Sequence, residues 1–192
     1  MRVTGGLLGG RPVRVPRAGV RPMQDRVRQA LFSILGDRVR GCRFLDLFAG
    51  SGVVGIEAWS RGAEVVWWVE RDGSIFSILK SNVEALCGAK PTDSQREIRP
   101  IRADVWRFLS RPCEQRFDII FMDPPFALYE RGGEWVNELL EKVGENRFLK
   151  EEGLFVMEAT SRVRIGLVEP WRMVWEKQYG QNRLLGLSRR GE

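Results

Sequence analysis

The chain has 192 residues, 43% of them hydrophobic and 29% charged, a composition that suits one well-buried domain and leaves two full domains cramped. It contains no histidine, which excludes His-based triads and imidazole acid–base chemistry, and its three cysteines, Cys42, Cys87 and Cys113, are odd in number, far apart and without a CxxC pair, which argues against a disulfide framework and a zinc site, so no metal is expected. The net charge of +6 is concentrated at the front, where residues 1–40 carry nine arginines against only Asp25 and Asp37, while the remainder is close to neutral.

Residues 1–20 read as a β-hairpin, with Met1–Leu8 and Arg11–Pro16 flanking a Gly9-Gly10 turn. A helix is predicted from Met23 to Leu35, because Val27, Ala30, Leu31, Ile34 and Leu35 fall on one face and Gly36 ends it. This basic front, residues 1–40, is expected to form an extension on a domain covering 41–192. Arginine binds phosphate bidentately and stacks on bases, so Arg2, Arg11, Arg14, Arg21 and Arg26 are candidate RNA-binding residues; a solvated basic arm is the alternative.

From Arg43 onward strands and helices alternate. Strands are expected at Arg43–Phe48, Glu64–Glu70, Ile98–Ala103, Phe117–Met122 and Gly153–Ala159, with later candidates at Arg172–Gln178 and Arg183–Ser188. Helices are expected at 52–60, Ser74–Leu86, Val105–Leu109 and Trp135–Val143. This alternation predicts an α/β fold with a mostly parallel sheet and helices on both faces. The longest apolar run, Val65–Val69, is far too short to span a membrane, and no apolar stretch follows Arg2 as in a signal peptide; a cytoplasmic protein is the expectation.

The first strand runs into Asp46-Leu47-Phe48-Ala49-Gly50-Ser51-Gly52, a turn whose glycines allow a tight bend and close approach to a ligand. It lacks the dinucleotide spacing G-x-G-x-x-G, which favours a ligand with a carboxylate at this point. Glu70 closes the second strand, where a ribose diol is gripped in such folds, and Asp104 follows the third. Each carboxylate could be a surface charge or, for Asp46, a cap. Their recurrence at successive strand ends argues for a ligand edge.

The fourth strand leads into Asp123-Pro124-Pro125-Phe126. The Asp123 carboxylate and the Pro124 carbonyl can each accept one N–H of a planar exocyclic amine, aiming its nitrogen at an incoming methyl group and offsetting the charge that develops there. Phe126 offers a stacking face for a base.

Together these motifs resemble the class I amino-methyltransferases. The front run Arg21-Pro22-Met23-Gln24-Asp25-Arg26-Val27-Arg28-Gln29-Ala30-Leu31-Phe32 is similar to the signature of the RsmD-type 16S rRNA guanine-N2 methyltransferases. The resemblance implies a Rossmann-like sheet of seven strands whose last strand is antiparallel. It also implies S-adenosyl-L-methionine as cofactor, and as substrate 16S rRNA or the assembled or assembling small ribosomal subunit. A monomer is expected. By position, Asp46, Phe48, Gly50, Ser51 and Gly52 would hold the amino-acid end of the cofactor, Glu70 its ribose and Asp104 its adenine amine. Asp123, Pro124 and Phe126 would hold the guanine, and the basic hairpin would bind RNA. Met23 and Phe126 depart from the family's usual threonine and tyrosine.

Three rival readings stand beside this one. A DNA adenine-N6 methyltransferase shares the chemistry but usually carries a recognition domain for which this length leaves little room. A pyrimidine-C5 enzyme would use Cys113, which precedes the fourth strand and should lie at its far end. A non-catalytic RNA-binding assembly factor would not need so complete a set of cofactor motifs.

Overall fold

The computed structural model describes residues 1–16, 23–88, 96–130 and 132–190. Seven strands form one sheet in the order β3-β2-β1-β4-β5-β7-β6. They are β1 (Arg43–Leu47), β2 (Val65–Glu70), β3 (Glu97–Arg102), β4 (Phe117–Met122), β5 (Leu149–Thr160), β6 (Trp171–Tyr179) and β7 (Asn182–Arg189). The first five are parallel neighbours, whereas β7 runs antiparallel to both β5 and β6. The chain moves outward from β1 through β2 to β3, then returns to place β4 on the other side of β1. The order therefore reverses between β1 and β4, and a crevice opens beyond their carboxyl ends.

The mostly apolar runs of β1, β2 and β4 reflect burial on both faces. One face is covered by α1 (Asp25–Leu35), α2 (Val53–Ser60) and α3 (Gly73–Cys87), whose Leu31, Ile56 and Leu79 share a core with Phe44, Trp68 and Phe121. The other is covered by α4 (Val105–Leu109) and α6 (Trp135–Glu145), whose Leu109, Leu139 and Val143 pack with Leu45, Phe117 and Phe155. Gly55 is required by this packing, because a Cβ there would stand 2.2 Å from the Trp68 indole nitrogen.

The front of the chain departs from the expected long hairpin. Pairing is confined to a bridge between Arg2 and Pro12 and the adjacent backbone bonds, including Val3 to Arg11. Residues 4–10 instead turn onto the end of α2: the amides of Leu7 and Leu8 donate to the carbonyl and hydroxyl of Ser60, and that hydroxyl donates to Gly5. Backbone hydrogen bonds that a flat strand would have left to a partner are satisfied by a helix terminus instead. Val3 and Val13 are buried in the same core as α1 and α2. Arg28, counted in the basic excess, is wholly buried beside Glu57, so its charge is withdrawn from the surface. A short helix, α5 (Phe126–Tyr129), follows Asp123-Pro124-Pro125, where the sequence pattern carries no helical signal of its own.

Candidate active site

A cavity of about 560 Å³ opens at the carboxyl edge of the sheet, within the range that holds a cofactor-sized ligand. Its lining brings together Asp46, Phe48, Gly50, Ser51, Glu70, Asp104, Asp123, Pro124 and Phe126, residues that lie up to 80 positions apart in sequence. Gly52 is set back from it. Its left-handed backbone (φ 81°) leads into α2 and its carbonyl accepts the Trp68 indole N–H at 3.1 Å.

The carboxylates differ in surroundings. Asp46 is buried and accepts a hydrogen bond from the Gly55 amide at 2.9 Å, tying the end of β1 to the first turn of α2. Desolvation pushes its carboxyl well above the usual range, the Gly55 bond opposes this, and Glu70 adds to it. The Glu70 oxygens accept the amides of Gly50 at 3.0 Å and Asp72 at 2.8 Å, so one side chain fixes the loops after β1 and β2. A carboxylate offers about four acceptor sites, which leaves capacity for a diol. Asp104 caps α4 through the Arg107 amide at 3.2 Å and lies 3.7 Å from the exposed Arg71 guanidinium. Asp123 has no hydrogen bond from another described residue. Burial pushes its carboxyl well above the usual range, and the neighbouring Glu158 and Asp46 push it further.

Phe126 is 54% exposed at the first position of α5, free to offer a ring face. An aromatic chain connects the two ends of the cavity. Phe48 meets Trp106 at 5.7 Å, Trp106 meets Trp135 at 6.2 Å, Trp135 meets Tyr129 at 5.5 Å and Tyr129 meets Phe126 at 6.4 Å. These edge contacts give the cavity a stiff apolar wall.

The donor set fits S-adenosyl-L-methionine. Acidic acceptors able to take ribose hydroxyls and an adenine amine line the cavity, beside a glycine turn and an apolar wall. Asp123, Pro124 and Phe126 also line the cavity, joined by residues that sequence reasoning did not single out: Tyr129, Glu158 and Asn182. Glu158 could have been noticed, since it lies near the end of a strand as the other acidic residues do; its neighbours could not.

Of the arginines, Arg2, Arg11, Arg14 and Arg26 are exposed, and Arg21 lies outside the described residues. The Arg2 guanidinium donates to the Gly10 carbonyl at 2.8 Å. The Arg14 backbone is held at both ends by Asn82, whose amide also donates to the Ser51 carbonyl at 2.9 Å, so the basic segment passes one side chain away from the glycine turn. Arg26 lines a second cavity of about 320 Å³ with Gln178–Asn182, which shares Gln24 and Asn182 with the main one. Among the described residues no helix is long and apolar enough to cross a membrane.

Known proteins resemble this chain in sequence and in fold. The model of the family described as "Conserved hypothetical protein 95" matches residues 1–187. The protein named Ribosomal RNA small subunit methyltransferase D in Haemophilus influenzae is 34% identical over 182 residues, covering 94% of this chain and 89% of that protein. Its namesake in Escherichia coli K12 is 33% identical over 185 residues, covering 94% and 86%. Among solved structures, a hypothetical protein of Thermus thermophilus superposes with a TM-score of 0.78 at 31% identity, covering 98% of this chain and 99% of that one.

Proposed function

We propose, on the premise that the chain belongs to the Conserved hypothetical protein 95 family and is an S-adenosyl-L-methionine-dependent methyltransferase, that it methylates the N2 amine of a guanine in 16S ribosomal RNA. The reading has it acting as a single chain in the cytoplasm, on free rRNA or on the small ribosomal subunit. The observation that carries it is the Asp123-Pro124-Pro125-Phe126 turn lining the cavity, with a carboxylate acceptor at one end and an exposed aromatic face at the other.

In this reading S-adenosyl-L-methionine supplies an electrophilic methyl group on a sulfonium. Glu70 holds the ribose hydroxyls, Asp104 the adenine amine, and the backbone around Gly50 and Ser51 the amino-acid end. Phe126 stacks on the guanine, a contact worth roughly 1–3 kcal/mol. Asp123 and the Pro124 carbonyl accept the two N2 hydrogens, which turns the nitrogen lone pair toward the methyl carbon. As N2 takes the methyl it becomes cationic, and Asp123 offsets that charge and receives the proton then shed. The exposed arginines of the front segment hold the RNA backbone.

The test is incubation with methyl-labelled S-adenosyl-L-methionine and, separately, rRNA, small subunits, tRNA and duplex DNA, followed by nucleoside analysis. N2-methylguanosine from rRNA or small subunits is expected. N6-methyladenine from DNA, or cofactor binding with no transfer to any pool, would overturn the reading.

A further inference from the structure

Asp123 and the Pro124 carbonyl can seat any exocyclic amine, whether of guanine, adenine or cytosine; the neighbouring strand distinguishes them. Met122 of β4 stands opposite Met157 of β5 in parallel register, and Asp123 and Glu158 are the next residue along each chain, near enough for the Glu158 charge to act on Asp123. Both line the cavity, and Glu158 is only 5% exposed. It is held from two directions. Asn182 on β7 donates to Glu158 Oε1 at 2.5 Å, and the Tyr129 hydroxyl donates to the Glu158 carbonyl at 2.7 Å. The described residues contain no cluster of acidic, histidine or cysteine side chains arranged to hold a metal ion.

Two adjacent carboxylates lining one cavity call for a row of donors. Guanine supplies one, because N1–H lies directly beside the N2 amine on its Watson–Crick edge. Adenine and cytosine place an unprotonated ring nitrogen next to their amine, and its lone pair would face a carboxylate. We propose that Glu158 is a specificity-determining residue that accepts the guanine N1–H while Asp123 accepts from N2. This rests on the guanine-N2 reading above and adds the reason why guanine is chosen over other amine-bearing bases. The mutual repulsion that raises the Asp123 carboxyl is relieved when donors from the base enter between the two groups. Glu158 belongs to the base contacts, Asn182 and Tyr129 to its positioning.

The experiment uses the full-length protein and begins by mapping the methylated nucleotide in rRNA. If the methyl group is found elsewhere than guanine N2, the underlying reading fails and this proposal with it. If it is found there, splint-ligated rRNA is prepared with either guanine or 2,6-diaminopurine at that position. Diaminopurine keeps the 2-amine but presents a bare N1. The wild type is expected to prefer guanine by about 10- to 100-fold in kcat/KM, the range of a base-edge hydrogen-bond pair. Glu158→Gln, which can turn an amide N–H toward a bare N1, is expected to lose activity on guanine and narrow or invert that preference, with the cofactor Kd unchanged. A wild type indifferent to the two bases overturns the proposal. So does a folded Glu158→Gln that loses equally on both, which is what a purely structural residue would do. If Glu158→Gln does not fold, the wild-type preference decides.

Discussion

The Glu57 carboxylate, wholly buried on α2, accepts both the amide and the hydroxyl of Thr4, each at 2.7 Å. The same carboxylate meets the buried Arg28 guanidinium at 3.4 Å and Arg61 at 2.9 Å, while Arg28 donates to the Arg2 carbonyl. One acidic side chain therefore joins the front segment, α1 and α2. Glu57→Ala leaves Arg28 in the core with its remaining partners Asp25 and Arg2, and breaking a buried pair from one side costs about 3–5 kcal/mol. A fall in melting temperature of about 2–4 °C per kcal/mol is expected in calorimetry. A variant within about 2 °C of the parent, less than 1 kcal/mol on that scale, would show that Thr4 and Arg28 find water or other partners at no cost.

Glu70 has two duties that mutations can separate. Glu70→Ala removes the proposed ribose contacts and also releases the Gly50 and Asp72 amides, whereas Glu70→Gln retains an acceptor oxygen for one of those amides. Hydrogen bonds to a charged acceptor contribute about 1.5–3 kcal/mol each. Calorimetric titration with S-adenosyl-L-methionine is expected to give at least about a tenfold weaker Kd for Glu70→Ala, with Glu70→Gln between it and the parent. Equal affinities for all three would remove Glu70 from the site.

Asp123 is where turnover should respond. Asp123→Ala removes an acceptor and the negative charge beside N2 while leaving Glu70, Asp104 and the glycine turn in place. The expected loss is roughly 10²–10³-fold in kcat with little change in cofactor affinity, and Asp123→Asn should fall between. A folded, cofactor-binding Asp123→Ala that methylates rRNA near the parent rate would exclude the proposed role.

The same side chain predicts a pH dependence of stability. Burial and two neighbouring carboxylates raise its folded-state pKa above the unfolded value, so between those two values the native state holds a proton that the unfolded chain has already released. Its destabilising effect is absent below the unfolded pKa, near about 4, and grows as pH rises toward the folded value. Asp123→Asn should therefore melt higher than the parent at about pH 8 and close to it at about pH 4. A difference that does not change with pH would mean that the carboxyl titrates normally.

The basic front can be tested without damaging the core. Removing residues 1–20 would also remove Val3 and Val13 from the core and Thr4 from its bonds to Glu57, so neutralising the exposed Arg11 and Arg14 is the cleaner change. For every phosphate that an arginine no longer neutralises, the log–log salt slope of RNA binding should fall by roughly 0.7–0.9, with cofactor binding unaltered. An unchanged slope would assign these arginines to a solvated surface.

What the sequence determined by itself was periodicity and punctuation. The buried strand Phe117–Met122 and the helix Val105–Leu109 have the predicted bounds, because an almost continuous apolar run and a short capped helix carry local signals. Asp46, Glu70, Asp104 and Asp123 could be read as one edge of a sheet for the same reason: each closes or follows a strand. Tertiary structure decided what local signals cannot encode. The front was read as a long hairpin, yet its backbone groups bond to Ser60 and Glu57, more than fifty residues away. Tyr129, Glu158 and Asn182 reach the cavity beside Asp123 only because β5 lies beside β4 and β7 folds back beside β5. Strand adjacency is set by crossovers and by which faces helices must cover, not by the residues of any one strand. The acidic residue that Asp123 meets was therefore visible in the sequence, but its nearness was not.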